Sequence, residues 1–538
     1  MEDALPKNKK QDLNRIIYIA FLTILIAIIV YLSYFSALPI VRSIKTLSFQ
    51  FQVDNVEGYL LDQALKLKEG KPIYTSINDY PYLVGIYAPI FPLINALFLF
   101  FFKPTFFYGR LINLISYLLI SFFAGLMIYN HKKKIIASLL TIVLFLSSYS
   151  VYIWASYYRV DFLAILFGII GIYLVSKNKL NLSILFFTLS FYTKQTNIVP
   201  LLATIIFLLI KDWKVGLKYI LKFAIIILNI FIIQNLITHN EYAKNAIVYN
   251  INEFSFFDLK VWLGHYYFFY QYLIFLIISY AVYWAIQKLA PKCFYSGSIK
   301  LLSLNLPRNV FIRGLFLYFF ISQLTLISTA KIGSAPNYLL EPILTLAIIS
   351  GLITSQLLSF LRNRIPSKKL NSHSERSEES QTPFLKYIFI TITIILLILH
   401  SYRITLHQRI QWANTTPDSS DNIKGKKILY ILSSTNGEII TEYPIFAILS
   451  GKEVLFHPFI MTQLSKQNLW DQTKFVNDLK RKRFDFIITT TNILDEKIFI
   501  DNYTLEMLEA IRQNYSLYHL EPDVAGINYF ILRTKGSL

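Results

Sequence analysis

A single cysteine, Cys293, excludes a disulfide framework and any cysteine-rich metal centre. Charge is scarce as well. Asp, Glu, Lys and Arg make up 16% of the 538 residues against 55% hydrophobic, where a soluble domain carries about 25% charged residues. That shortage excludes an ordinary soluble enzyme and reads as a polytopic α-helical membrane protein. Acids are the scarcer sign, 32 against 52 Lys plus Arg, for a net charge of +20. In a soluble chain this excess would point to nucleic acid. Here the cations cluster in short loops between apolar runs, which is a topology signal, so the bilayer is the expected partner and nucleic acid is not. No internal repeat of fixed period is visible. Aromatic residues abound, with 37 Tyr and 44 Phe, but they suit interfacial belts and sugar-stacking surfaces alike and decide nothing.

The first apolar run, Ile16 to Leu38, follows Lys7, Lys9, Lys10 and Arg15. It is longer than a signal-peptide core and has no convincing cleavage site, so it reads as an uncleaved first span with a cytoplasmic N-terminus. Further apolar runs lie near 107–129, 135–157, 161–176, 181–194, 197–210, 216–238, 266–289, 309–329, 338–361 and 385–402, giving about eleven spans. One more run, Tyr87 to Phe102, is interrupted at its start by Pro89 and Pro92. A helix of that length reaches only about 24 Å against a hydrocarbon core of about 30 Å.

Whether 87–102 crosses sets the side of everything after it. If it does not, Lys132 to Lys134, Lys177/Lys179, Lys211/Lys214/Lys218, Lys292/Lys300/Arg308 and Arg362/Arg364/Lys368/Lys369 all face the cytoplasm, as the positive-inside rule requires. If it does, they all face outward. The run is therefore expected to be a re-entrant or surface-lying helix within a first outer loop, 39–106, that carries amphipathic helices. Residues 362–384 contain a polar, low-complexity stretch, Ser367 to Thr382, expected as a flexible cytoplasmic loop.

The membrane part is thus expected over 1–402, followed by a stalk at 403–423 and a small extracytoplasmic α/β domain at 424–538. In that domain Lys427–Leu432, Glu453–Phe456 and Phe484–Thr489 read as strands, with closing strands near 516–519 and 527–532. Helices are expected over 443–449, 474–482 and 505–513.

On this topology the conspicuous polar groups share one side. Asp54 and Glu57 open the first outer loop, Arg159 and Asp161 occupy a later turn, Lys194 and Gln195 another, and Lys331 to Glu341 a fourth, with Asn337 and Tyr338 inside it. Ionisable groups at span ends are costly unless paired or hydrated, and they mark functional cavities. Each also has a bland reading. Asp54 and Glu57 suit a solvated loop, Arg159 and Asp161 a structural ion pair, and Lys194 and Lys331 snorkelling side chains. Taken together, carboxylates among three separated cations suit an anionic lipid phosphate and a hydroxyl acceptor. Tyr80, Tyr82 and Tyr87 fit sugar or headgroup contacts, though core or belt packing is the commoner use of any one such tyrosine.

These residues resemble the glycosyltransferase C superfamily, in particular the bacterial family-39-like mannosyltransferase and aminoarabinose-transferase membrane enzymes. The resemblance rests on the acidic pair after the first span, on Glu69-Gly70-Lys71-Pro72-Ile73-Tyr74 and on Tyr87-Ala88-Pro89-Ile90-Phe91-Pro92-Leu93. Arg159-Val160-Asp161, Thr193-Lys194-Gln195-Thr196 and Asn337-Tyr338-x-x-Glu341 carry it further, over about residues 1–360. The acids are three apart here, where the better-studied members have them adjacent.

The resemblance implies sugar transfer from a polyprenyl-phosphate donor to a glycan, lipid or protein hydroxyl. Asp54 would be the general base and Glu57 would orient it or position the sugar. Arg159, Lys194 and Lys331 would form the phosphate clamp. Asp161, Gln195, Asn337, Tyr338 and Glu341 would position substrate. No cofactor is implied with certainty, and a divalent cation held by Glu57 with Asp161 is left open. A flippase of a lipid-linked sugar, or a non-catalytic scaffold, are the alternatives from other classes.

Overall fold

The computed structural model describes residues 7–293, 310–363, 383–411, 416–496 and 501–536. The polar stretch within 362–384 and the cations Lys300, Arg308, Arg364, Lys368 and Lys369 lie outside the described residues. Seven described helices are long and apolar enough to cross a membrane: Asp12–Leu47, Phe107–Lys132, Trp213–Ile237, Phe256–Ile286, Ile312–Ala330, Pro336–Asn363 and Leu385–Thr405. The chain is an integral membrane protein. Four other expected spans are shorter apolar helices, Ile135–Leu146, Asp161–Ser176, Leu180–Thr193 and Val199–Lys211. Ile90–Leu99, also short, reaches only about 15 Å.

The first helix departs from expectation. It runs unbroken from Lys7 to Leu47 with Pro39 inside it, so the first loop begins near residue 48 instead of 39. The run 135–157 also divides, into Ile135–Leu146 and Tyr149–Trp154. The membrane core packs the first helix, Phe107–Lys132, Ile135–Leu146 and Leu340–Asn363 around fully buried side chains such as Leu25, Leu32, Tyr117, Leu140 and Leu344.

The C-terminal domain holds a four-stranded sheet of order β1-β2-β4-β3. Strand β1 (Ile439–Thr441) runs parallel to β2 (Phe486–Thr489), and β4 (Ile527–Thr534) pairs antiparallel with both β2 and β3 (Tyr515–Val524). Two expected strands are not there. Lys427–Leu432 is the end of a helix, Ser419–Leu432, because Asp418 caps it: its Oδ1 accepts from the backbone N–H of Ser420 and Asp421, while Asp421 accepts from the N–H of Asp418. The buried positions Asp421, Gly425, Ile428 and Leu432 then follow helical spacing. Residues 453–456 form no ladder and make one bridge, Phe456 with Tyr82. The expected stalk is helical at both ends, within Pro383–Gln411 and from Ser419, with 412–415 outside the described residues.

The domain does not stand apart. Its side chains share a core with the first loop and the turn before Asp161: Phe51, Leu60, Phe91 and Tyr158 pack with Ile428, Phe446, Phe486 and Tyr529. Phe51 is fully buried and lies so close to Gly425 that a Cβ there would meet the ring at 2.2 Å. Burying one such Phe is worth about 1.5–3 kcal/mol. Backbone bonds add to this. Tyr82 N–H donates to the Leu455 carbonyl, His457 N–H to that of Tyr82, and Ile445 N–H to Gln52 Oε1. The first loop and the domain are one packed unit, and that unit fixes where Asp54 sits.

Candidate functional site

Four turns at one end of the helices carry the site, and each is held from inside. In the first, Gln52 donates to the carbonyls of Asp54 and Asn55 at 2.9 and 3.3 Å while accepting from the domain. Asp54 Oδ2 accepts from Val56 N–H at 3.0 Å. Its charge partner is Arg159, with Nε 3.1 Å from Oδ2. That contact is ionic and poorly aligned, since Arg159 Nε and Nη1 make no hydrogen bond although buried. The guanidinium lies over the Trp154 ring, 4.8 Å from its centroid. Burial raises the Asp54 carboxyl above its ordinary range; Arg159 opposes this and the nearby Glu57 adds to it.

Asp161 begins the helix Asp161–Ser176, where the positive end of the helix dipole favours a carboxylate. Its Oδ1 accepts from Lys194 Nζ at 2.6 Å and Asn337 Nδ2 at 2.8 Å, and its Oδ2 from Trp154 Nε1 at 2.7 Å. Three of the turns thus meet on one carboxylate. Lys194 also lies over the Tyr338 ring at 5.2 Å. Gln195 donates to the carbonyls of Ile86 and Ala246, pinning its turn to the first loop. Glu341 Oε1 accepts from Tyr318 at 2.8 Å.

Lys331 is different. Its Nζ donates to the backbone and side-chain oxygens of Asn250 and has no carboxylate partner among the described residues. An ammonium has three donors, so one remains for a ligand. Burial, with the repulsion of Lys194 behind it, pushes this amine down to about 8.

Two cavities meet at these residues. One, of about 610 Å³, runs from Asp161, Lys194, Lys331 and Glu341 along apolar side chains of the helices, including Ile165, Val199, Leu324 and Ile327. The other, of about 430 Å³, runs toward Asp54, Tyr87, Arg159 and Gln195 and reaches His457 of the C-terminal domain. Lys194, Lys331, Asn337 and Tyr338 line both. Lys194 and Lys331 stand where the two cavities adjoin.

The expected residues do not all gather there. Glu57 lines neither cavity and is fully buried. Arg110 donates to both of its oxygens at 3.0 and 2.9 Å, and the N–H groups of Val53 and Tyr158 fill the rest. Glu57 is therefore closed off from any substrate, and from a cation shared with Asp161. Tyr80 and Tyr82 lie under the C-terminal domain: Tyr80 donates to Asp478 beneath Arg483, and Tyr82 packs against Trp470 and Phe475. Trp154, Asn250 and His457 join the site only through the fold, since a lone aromatic, amide or imidazole carries no signal in the sequence. As for a metal, Asp54 and Asp161 already have their own cations, and no group of three or more His, Cys, Asp or Glu gathers to hold an ion among the described residues. The residues present do not fit that role.

The fold and site together define a polytopic helical membrane protein with a small α/β domain over the cavity at Asp54 and Arg159. Comparison with protein-family models and with curated sequences returns no match. Solved structures give the fold more closely: it is that of ArnT. ArnT from Cupriavidus metallidurans bound to undecaprenyl phosphate matches with a TM-score of 0.52 at 12% identity, covering 94% of this chain and 98% of that one. The apo state of that protein gives 0.53 at 12% identity, over 93% and 97%.

Proposed function

We propose that this protein transfers a sugar from a polyprenyl-phosphate donor to an acceptor hydroxyl at the outer face of the membrane. The observation that carries the reading is Lys331, a half-buried ammonium without a carboxylate partner among the described residues, at the junction of the two cavities. The fold supports it: ArnT is a family-39-like membrane glycosyltransferase, and one structure of it holds undecaprenyl phosphate.

In this scheme the prenyl chain runs past Ile165, Val199, Leu324 and Ile327, and the phosphate sits among Lys331, Lys194 and Arg159. The sugar then projects toward Asp54. The acceptor hydroxyl gives its proton to Asp54 as its oxygen bonds to the anomeric carbon with inversion, and the bond from that carbon to the phosphate oxygen breaks. Polyprenyl phosphate leaves with one more negative charge, which the cations stabilise. Loops rich in Lys (132–134, 177–179, 211–214) alternate along the chain with the loops that build the site. The positive-inside rule therefore puts the site outside and the N-terminus in the cytoplasm.

Binding tests this directly. Lys331→Met is expected to weaken undecaprenyl phosphate binding to the full-length protein by about tenfold or more, the worth of one charge-assisted hydrogen bond. The pH dependence carries a second signature. Lys331 binds phosphate when protonated, so donor kcat/KM, which reports the free enzyme, is expected to fall as pH rises through about 8. A bound phosphate raises the pKa of the amine, so kcat holds to higher pH. In Lys331→Met the limb near pH 8 disappears. Equal lipid affinity in wild type and variant, with no such limb, would contradict the phosphate site.

A further inference from the structure

A third cavity, of about 250 Å³, adjoins the second at Asp54, Asn55 and His457. Asp54 and Asn55 of the first loop form one wall, and Glu442, His457, Thr490 and Asn502 of the C-terminal domain form the other. Its position follows from the sheet. Glu442 directly follows β1 and Thr490 directly follows β2, the parallel pair, so both stand at the carboxyl ends of parallel strands. Open α/β sheets bind ligands in that place. Among the described residues no Lys or Arg lines the cavity. Burial holds the imidazole of His457 neutral, pushed down to about 3, so it adds no positive charge.

The polar groups here are only partly satisfied. Glu442 Oε2 is well held, accepting from Thr490 N–H at 2.8 Å and its hydroxyl at 2.7 Å. Glu442 Oε1 accepts from the Asn502 amide at the long distance of 3.4 Å, and the Tyr503 hydroxyl lies near the same carboxylate. The Tyr59 hydroxyl reaches the Glu442 and Phe456 carbonyls at 3.5 and 3.4 Å. Bonds at this long end are weak, and ligand hydroxyls can replace them at little cost. Asp54 is already paired with Arg159; Glu442, which has amide and hydroxyl neighbours and no ion-pair partner among the described residues, disfavours an anion and suits a donor-rich neutral ligand.

We infer that this cavity is the acceptor subsite, that the C-terminal domain supplies half of it, and that it takes a neutral, hydroxyl-rich glycan end in preference to a phosphorylated one. The inference rests on the transferase reading for the word acceptor; the recognition itself does not. It assigns the domain a direct part in choosing the acceptor, with Asn502 and Glu442 as binding residues beside the base.

Calorimetric titration of the full-length protein in lipid nanodiscs separates the two readings. Maltotriose serves as the neutral probe, glucose 6-phosphate as the anionic one, and undecaprenyl phosphate reports the donor site. Maltotriose is expected to bind wild type and to lose at least about tenfold in affinity in Asn502→Ala and in Glu442→Gln. Glucose 6-phosphate is expected to bind wild type at least about tenfold more weakly than maltotriose. Undecaprenyl phosphate affinity is expected to stay the same in Asn502→Ala, which also shows that the variant is folded. Unchanged maltotriose affinity in a folded Asn502→Ala, no maltotriose binding to wild type, or equal binding of the sugar phosphate would each overturn the subsite. Absence of undecaprenyl phosphate binding in wild type would instead count against the donor reading alone.

Discussion

Asp54→Asn is expected to lower sugar transfer by about 10²–10⁴-fold, the usual worth of a general base, while the lipid donor binds at least as well as before. The amide is nearly isosteric, and its oxygen still accepts from Val56 N–H, as Asp54 Oδ2 does at 3.0 Å. What disappears is a site for the acceptor proton. Arg159 loses its counter-ion and faces the donor phosphate with its charge uncompensated, so donor KM should hold or fall while kcat collapses. Wild type adds an acid limb to the same picture. Burial holds the Asp54 carboxyl above its ordinary range, and transfer is lost as pH falls through that raised value because the base becomes protonated. A loss of less than tenfold in folded Asp54→Asn, or an acid limb that survives the substitution unchanged, would move the base elsewhere.

Arg110→Met is expected to destabilise the protein by about 3–5 kcal/mol, the cost of leaving one partner of a buried ion pair alone. Arg110 and Glu57 are both fully buried. Beyond its two bonds to Glu57, Arg110 donates to the carbonyls of Thr46, Phe49 and Phe51 at 2.7–2.8 Å. Five backbone groups and two side chains close into one knot, which ties the end of the first helix, the Asp54 turn, Phe107–Lys132 and the turn before Arg159. Thermal unfolding of the purified protein reads the effect. The double substitution Arg110→Met with Glu57→Leu should unfold at a higher temperature than Arg110→Met alone, since it removes the stranded carboxylate. A double variant no more stable than the single one would show that the carbonyl contacts, and not the charge pair, hold the knot. Glu57→Gln should likewise lose activity in step with folded protein, whereas Asp54→Asn should lose activity alone.

The site was readable where charge was rare. In a chain with 16% charged residues, Asp54, Arg159, Asp161, Lys194 and Lys331 stand out at the ends of apolar runs, and the fold brings all five to two adjoining cavities. The role of Glu57 was not readable, because its partner Arg110 lies 53 residues away, just inside an apolar run. Tyr80 and Tyr82 show the limit of composition: a Tyr beside a sugar and a Tyr under a domain look alike until packing is known. Local pattern failed in one place for a clear reason. Lys427–Leu432 is apolar enough for a buried strand, but the capping box at Asp418 starts a helix whose buried face repeats every three or four residues. The docking of the C-terminal domain onto the first loop rests on long-range contacts such as Phe51 with Gly425 and Tyr59 with His457, which no single segment announces.

The most direct test of the whole account is transfer itself. Membranes containing the full-length protein are incubated with a panel of radiolabelled polyprenyl-phosphate sugars, with Asp54→Asn membranes as the control. Label passing from at least one donor to a new product in wild type, together with release of polyprenyl phosphate and almost none in Asp54→Asn, is the predicted result. Label that stays on the donor across the panel, or that crosses the membrane still attached to its lipid, would contradict a transferase and leave a carrier of lipid-linked sugar in its place.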